Sequence, residues 1–224
     1  WGAALVRGLG SRRTFGRPDE PAPAWSPDGG RLAYARFDAN GMGMCVRAAS
    51  GAGTEDSLPH DPGSYEAPFQ WSGAANAIVF GRRGSAQEWD VWTTPADHRT
   101  APAGRPAADR GPGPQPLLRS PFSELGGRLS PDGRWLAYFS NETGRNEVYV
   151  VPHPGPGGKW QVSTSGGAAP IWRADGRELF FQTDEGIVAV DVRPGATLDV
   201  GVPKLLFRTR LAGGPYAGYR WAPS

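Results

Sequence analysis

One twelve-residue pattern, met several times, restricts this chain more than any other feature. In its best-preserved form it begins the stretch Leu129 to Pro152, LSPDGRWLAYFSNETGRNEVYVVP. Ser130-Pro131-Asp132-Gly133 is a turn with a physical basis. Proline presets φ at the second position, aspartate bonds nearby backbone, and glycine accepts the positive φ that follows. Trp135 to Phe139 is aromatic and apolar, as a buried strand requires. Asn141-Glu142-Thr143-Gly144 breaks it, and Glu147 to Val151 forms the next strand before Pro152.

The unit recurs. Pro23-Ala24-Trp25-Ser26-Pro27-Asp28-Gly29 opens a close copy, with Gly43 to Arg47 as a later strand. Phe69-Gln70-Trp71-Ser72 opens a degraded one, where Gly73-Ala74-Ala75-Asn76 stands in for the turn; Ala77 to Phe80 and Trp89 to Trp92 follow. Ile171-Trp172-Arg173-Ala174-Asp175-Gly176 opens a fourth, followed by Gly186 to Val192 and Lys204 to Phe207. Tyr219-Arg220-Trp221-Ala222-Pro223-Ser224 begins a further one. The anchors at 25, 71, 129, 172 and 221 lie some 43 to 58 residues apart. Four short strands at that period, with no helical periodicity, predict an all-β chain. Its architecture is a β-propeller of four-stranded antiparallel blades, each burying its faces against neighbours.

The reading assigns residues 1–16 to the end of a preceding blade and 17–62, 63–122, 123–165 and 166–212 to four full blades. Residues 213–224 start another, so that the chain reads as a piece of a larger ring. Within 1–16, Ala3 to Val6 reads as a strand, Gly8 to Ser11 as a turn, and Arg13 to Phe15 as another short strand. The Pro/Ala/Gly/Arg-rich stretch 96–115 is an inserted loop without periodicity. The termini would close a shared blade only if it did without its second strand.

Composition excludes several classes. Glycine (33) and proline (23) make up about a quarter of 224 residues, but they fall between apolar runs, as turns do. The net charge of +2 comes with no basic stripe, so no nucleic-acid partner is expected. No apolar run is long enough to insert in a membrane. Cys45 sits in an apolar strand pattern and reads as a buried small side chain.

No catalytic, cofactor-binding or metal residue is assigned, and no cofactor is expected. There is no G-x-S-x-G, no G-x-G-x-x-G, H-R-D or D-F-G, and no zinc-ligand spacing around His60, His98 or His153. Asp28, Asp132 and Asp175 recur at one position of the unit. Turn chemistry accounts for them, and a calcium site would need their carboxylates to converge. Glu142, Asp184 and Glu185 fall in the next turn of their blades, where a shared rim could meet a ligand; solvated turns are the simpler reading.

W-S-P-D-G-x-x-L-A-Y resembles the WD40-like PD40 repeat of the TolB propeller and its relatives. The stretch 127–192 and the terminal Leu205 to Arg210 are similar to the C-terminal propeller of bacterial serine/threonine protein kinases of the acidobacterial type. That resemblance implies six or seven blades in the complete ring. It also implies a non-catalytic module binding a protein or small molecule within a signalling protein, placed outside the cytoplasm. Two alternatives share the fold: the regulatory propeller of a prolyl-oligopeptidase-like serine peptidase, and a TolB-like periplasmic scaffold.

Overall fold

The computed structural model describes residues 3–6, 9–12, 23–58, 60–84, 88–96, 113–195 and 197–209. Among them there is no helix, and nineteen strands account for the regular structure. At the start, β1 (Ala3–Val6) and β2 (Leu9–Arg12) form an antiparallel pair. The expected turn at 8–11 is therefore corrected: Leu9, Gly10 and Ser11 pair with Val6, Leu5 and Ala4, and the ladder takes up the residues that looked like turn formers. The expected strand at 13–15 and the start of a further blade at 213–224 lie outside the described residues. So do most of the 96–115 insertion and any closure between the termini.

The chain divides into two compact units, Trp1–Gln87 with Trp92–Gln115, and Glu88–Val91 with Pro116–Ser224. In the first, β3 (Ala24–Trp25), β4 (Arg31–Asp38), β5 (Gly41–Ala48) and β6 (Asp56–Ser57) form an antiparallel set, here blade A. Next come β7 (Tyr65–Ser72), β8 (Ala77–Arg83), β9 (Trp89–Pro95) and β10 (Gln115–Leu118), blade B, neighbours in that order. Blade C contains β11 (Glu124–Leu129), β12 (Trp135–Ser140), β13 (Glu147–Pro152) and β14 (Trp160–Gln161). Blade D contains β15 (Ala168–Trp172), β16 (Glu178–Gln182) and β17 (Gly186–Pro194), against which both β18 (Leu198–Val200) and the outer β19 (Lys204–Arg208) pair. This is the all-β, four-stranded antiparallel blade architecture of a β-propeller. The sequence pattern did not foretell β18.

The blades pack through the anchor positions. Trp71 of blade B is buried in one cluster with Ala24, Ala33, Met44, Val46 and Leu58 of blade A and with Ile78 and Phe80 of its own blade. Arg31 lies over its ring, 4.6 Å from the centroid. Leu129 is buried like Trp71 and Trp172, whereas Trp25 is half-buried. Trp172 of blade D donates its indole N–H to the Arg128 carbonyl of blade C at 3.0 Å, so the anchor joins one sheet to the next by a directed bond as well as by area.

A second device repeats in all four blades. The carbonyl of the residue just before the second strand accepts a backbone N–H from the end of the third: Ala49 to Gly30, Ala96 to Asn76, His153 to Arg134, and Val192 to Arg177, at 2.8–2.9 Å. The first strands of blades B, C and D also share a register shift, at Pro68/Gln70, Leu125/Arg128 and Ala168/Ile171. Such bulges add local twist, which a blade needs as it turns against its neighbour.

Candidate functional site

The recurring turn comes first, because its residues look most like a site. In blade A the Ser26 hydroxyl donates to Asp28 Oδ1 at 2.5 Å, and Asp28 Oδ1 accepts the Gly30 N–H at 2.9 Å. Ser26 Oγ in turn accepts the Arg31 N–H at 2.8 Å. Blade C repeats each bond: Ser130 to Asp132 at 2.5 Å, Arg134 N–H to Asp132 at 3.1 Å, and Trp135 N–H to Ser130 at 3.0 Å. Gly29, Gly133 and Gly176 all take φ near +70°, and each closes the turn by donating to the carbonyl three residues back. In blade D, Arg173 replaces the serine, and its guanidinium reaches both Asp175 (3.1 Å) and Glu178 (2.5 Å). Each aspartate is thus occupied by its own turn. The Ser26 hydroxyl and the Gly30 N–H hold the Asp28 carboxyl below its ordinary range. Burial pushes Asp132 upward, but the bonds from Ser130 and Arg134 outweigh it and lower the carboxyl overall. Among the described residues no group of three or more His, Cys, Asp or Glu side chains is arranged to hold a metal ion.

The opposite end of each blade carries the turn between second and third strands. There the second unit has a cleft of about 520 Å³, lined by Ser163 to Gly166 from the segment entering blade D, by Thr183, Asp184 and Glu185, and by an apolar floor that includes Phe181 and Leu205. Asp184 and Glu185 thus line this hollow. Glu142 does not line it; its carboxylate is paired with Lys159 at 2.6 Å. Glu185 is paired with Arg208 at 3.1 Å.

One wall of the cleft is held from behind by a residue the sequence reading missed. Glu147, fully buried at the start of β13, accepts Arg145 Nε at 2.6 Å, the Gly166 N–H at 3.0 Å and the Ser163 hydroxyl. Arg145 also donates to the Thr164 carbonyl. Both oxygens of this buried carboxylate are met by donors. Here it fixes the segment that forms the wall. A smaller hollow of about 400 Å³, lined by Thr143, Gly144, Arg145, Glu147 and Gln161, opens beside the same network.

Two other buried glutamates lie on first strands, Glu66 in β7 and Glu124 in β11. Nothing in the sequence pattern distinguishes them from solvent-facing strand residues. Burial raises the Glu66 carboxyl although Arg82 pulls it the other way, and burial pushes Glu124 up to about 7.

In the first unit, Asp38, His60 and Ser64 stand in a row, a grouping that resembles a nucleophile relay. His60 Nε2 lies 3.0 Å from Asp38 Oδ2, and His60 Nδ1 lies 3.4 Å from Ser64 Oγ. The Ser64 hydroxyl is buried and donates to the Asp61 carbonyl at 2.7 Å. Its proton is committed to backbone, so the row clasps the 38–41 turn to the segment entering blade B. Burial opposes charge on His60, yet the Asp38 bond prevails and raises its pKa. His153 is bonded to the Gly133 carbonyl at 2.8 Å. His98 lies outside the described residues. Cys45 is buried as expected, 3.7 Å from Ser57 Oγ.

No family model matches the chain, and no curated protein does. Solved structures do. TolB from Acinetobacter baumannii aligns with TM-score 0.59 at 20% identity over 90% of this chain and 45% of its own. A putative TolB from Agrobacterium tumefaciens gives 0.59 at 20%, over 84% and 64%. A puromycin-hydrolyzing peptidase of Mycobacterium tuberculosis gives 0.55 at 18%, over 93% and 32%. The chain spans between a third and two thirds of the length of these proteins. What they share with it is the propeller fold.

Proposed function

We propose that this chain is a non-catalytic WD40-like propeller, a binding or sensory module of a bacterial serine/threonine kinase or a similar signalling protein, exposed outside the cytoplasm. The observation that carries the reading is the division of labour within the blades. The recurring serines and aspartates are bonded within their own turns, whereas the hollows beside the turns between second and third strands are walled by residues that differ from blade to blade; a further hollow of about 290 Å³ is lined by Ser130, Asp132 and Asp175. A rigid scaffold with variable turns is a general arrangement for recognition. The kinase-linked context rests on the resemblance of 127–192.

A second reading, the regulatory propeller of a prolyl-oligopeptidase-like peptidase, is favoured by the peptidase structures that share the fold. A TolB-like scaffold is the third. The parent gene separates them: a kinase domain and one membrane helix upstream, a G-x-S-x-G hydrolase domain, or a signal peptide with a propeller alone. The purified chain is expected to transfer no phosphate from ATP and to cleave no prolyl peptide. Either activity would overturn the non-catalytic reading.

A further inference from the structure

Blades B and C carry the same carboxylate with different company. Glu66 pairs across the sheet with Arg82, and Glu124 pairs with Ser140. Cross-strand partners share a face, so the second residue of each pair can reach the first. In blade B, Arg82 does so. Its Nε and a terminal nitrogen both lie on Glu66 Oε1, at 2.8 and 2.7 Å. Its guanidinium rests 4.2 Å from the centroid of Trp92 and 5.6 Å from that of Phe80.

Blade C keeps the carboxylate and the aromatic shelf but puts no cation on the carboxylate; Lys159 Nζ lies 5.1 Å from the Tyr149 ring centroid and bonds Glu142 instead. Counting from the repeated bonds Ala96 to Asn76 and His153 to Arg134, Phe80 corresponds to Tyr138 and Trp92 to Tyr149. These two rings stack 5.6 Å apart. Ser140, fully buried, stands where Arg82 would be. Glu124 is 4% exposed; one oxygen accepts the Ser120 hydroxyl, and Oε2 has no hydrogen-bond partner. Asp90 and Glu142 add negative charge around it, and Glu88 is bonded to the adjacent Ser123. Two cations oppose these carboxylates. Lys159 is bonded to Glu142, and Arg119 lies 3.7 Å from Asp90. Neither is bonded to Glu124.

We propose that the Glu124 position of blade C is a recognition site for a guanidinium group supplied from outside the chain, filling the place that Arg82 fills in blade B. The chemistry is specific. A guanidinium can stack on the Tyr138–Tyr149 shelf while its N–H groups meet the vacant carboxylate oxygen, a combination a compact ammonium does not match. The Ser120–Glu124 bond ties the segment before β11 to this carboxylate, and the incoming group replaces that bond. The site is separate from the 520 Å³ cleft and does not depend on what binds there.

The test is titration of the full chain with methylguanidinium and with the capped peptide acetyl-Gly-Arg-Gly-amide, read by backbone NMR shifts and calorimetry. Saturable binding is expected, with shifts centred on Ser120 to Leu125 and Ser140. Methylammonium should bind at least tenfold more weakly. Binding of both guanidinium probes assigns the site to an arginine side chain, and binding of methylguanidinium alone assigns it to a small molecule. Glu124→Gln is expected to weaken binding tenfold or more while the melting transition stays cooperative. Ser140→Arg, which restores the blade B arrangement, should abolish binding if it folds; Glu124→Gln decides the matter if it does not. No saturation by either guanidinium probe, or equal affinity in Glu124→Gln, would overturn the proposal.

Discussion

Asp132 stands for the residues that recur. Its carboxylate takes the Ser130 hydroxyl and the Arg134 N–H, both inside one turn. Asp132→Ala should cost about 1 kcal/mol in urea unfolding, because it removes two bonds to a charged acceptor in an exposed turn. Glu124 is the opposite case, since one of its two buried oxygens has no hydrogen-bond partner. Its carboxyl titrates near 7 in the folded chain, above the ordinary value of 4.5, with Asp90 and Glu142 adding to the upward push and Ser120 and Lys159 opposing it. Between those values the folded state holds a proton that the unfolded state has lost. Stability from this group is therefore full below about pH 4.5 and is lost as pH rises through 7, by at most about 3 kcal/mol. Melting profiles across that window should slope downward with rising pH, and Glu124→Gln should flatten the slope.

Elements were legible wherever turn chemistry and apolar runs coincide. The hairpin from Trp135 to Pro152 was readable because Pro-Asp-Gly, an aromatic run and a second Gly-containing turn give the same answer. β2 was misjudged because Gly8, Gly10 and Ser11 look like turn formers, whereas Gly10 and Ser11 pair with the adjacent strand β1. β18 was missed because Leu198-Asp199-Val200 is too short to show a period. The buried glutamates were not visible at all. On a strand, Glu66, Glu124 and Glu147 look like solvent-facing residues, and only the cross-strand and between-blade partners reveal otherwise. The joints between elements give a sharp prediction. Trp172→Phe keeps the ring but loses the bond to Arg128, at about 1 kcal/mol. Gly186→Ala should cost more, about 2–4 kcal/mol, since the added carbon would lie 2.1 Å from the Phe207 carbonyl oxygen at φ +153°. Urea unfolding of the two variants should rank them in that order.

For the whole molecule, the recurring turns and the turns between second and third strands lie at opposite ends of the blades. The Ser-Pro-Asp-Gly turn is the same in blades A and C and is bonded to itself, while blade B lacks it and blade D has Arg173 in place of the serine. The other end, with Asn141 to Arg145 and Thr183 to Glu185, differs between blades and borders the hollows. Replacing exposed Asp184 with Asn should therefore leave the melting temperature within about 1–2 °C of the parent, a surface change of under 0.5 kcal/mol, while altering whatever binds in the cleft.

An experimentally determined structure of this chain at high resolution tests the central claim most directly. The account predicts four-stranded antiparallel blades in which Asp28 and Asp132 each turn onto the serine and backbone N–H of their own turn, and Asp175 onto the Arg177 N–H and Arg173. Carboxylates from different blades converging on one ion or ligand, or helices packed on a parallel sheet, would contradict it.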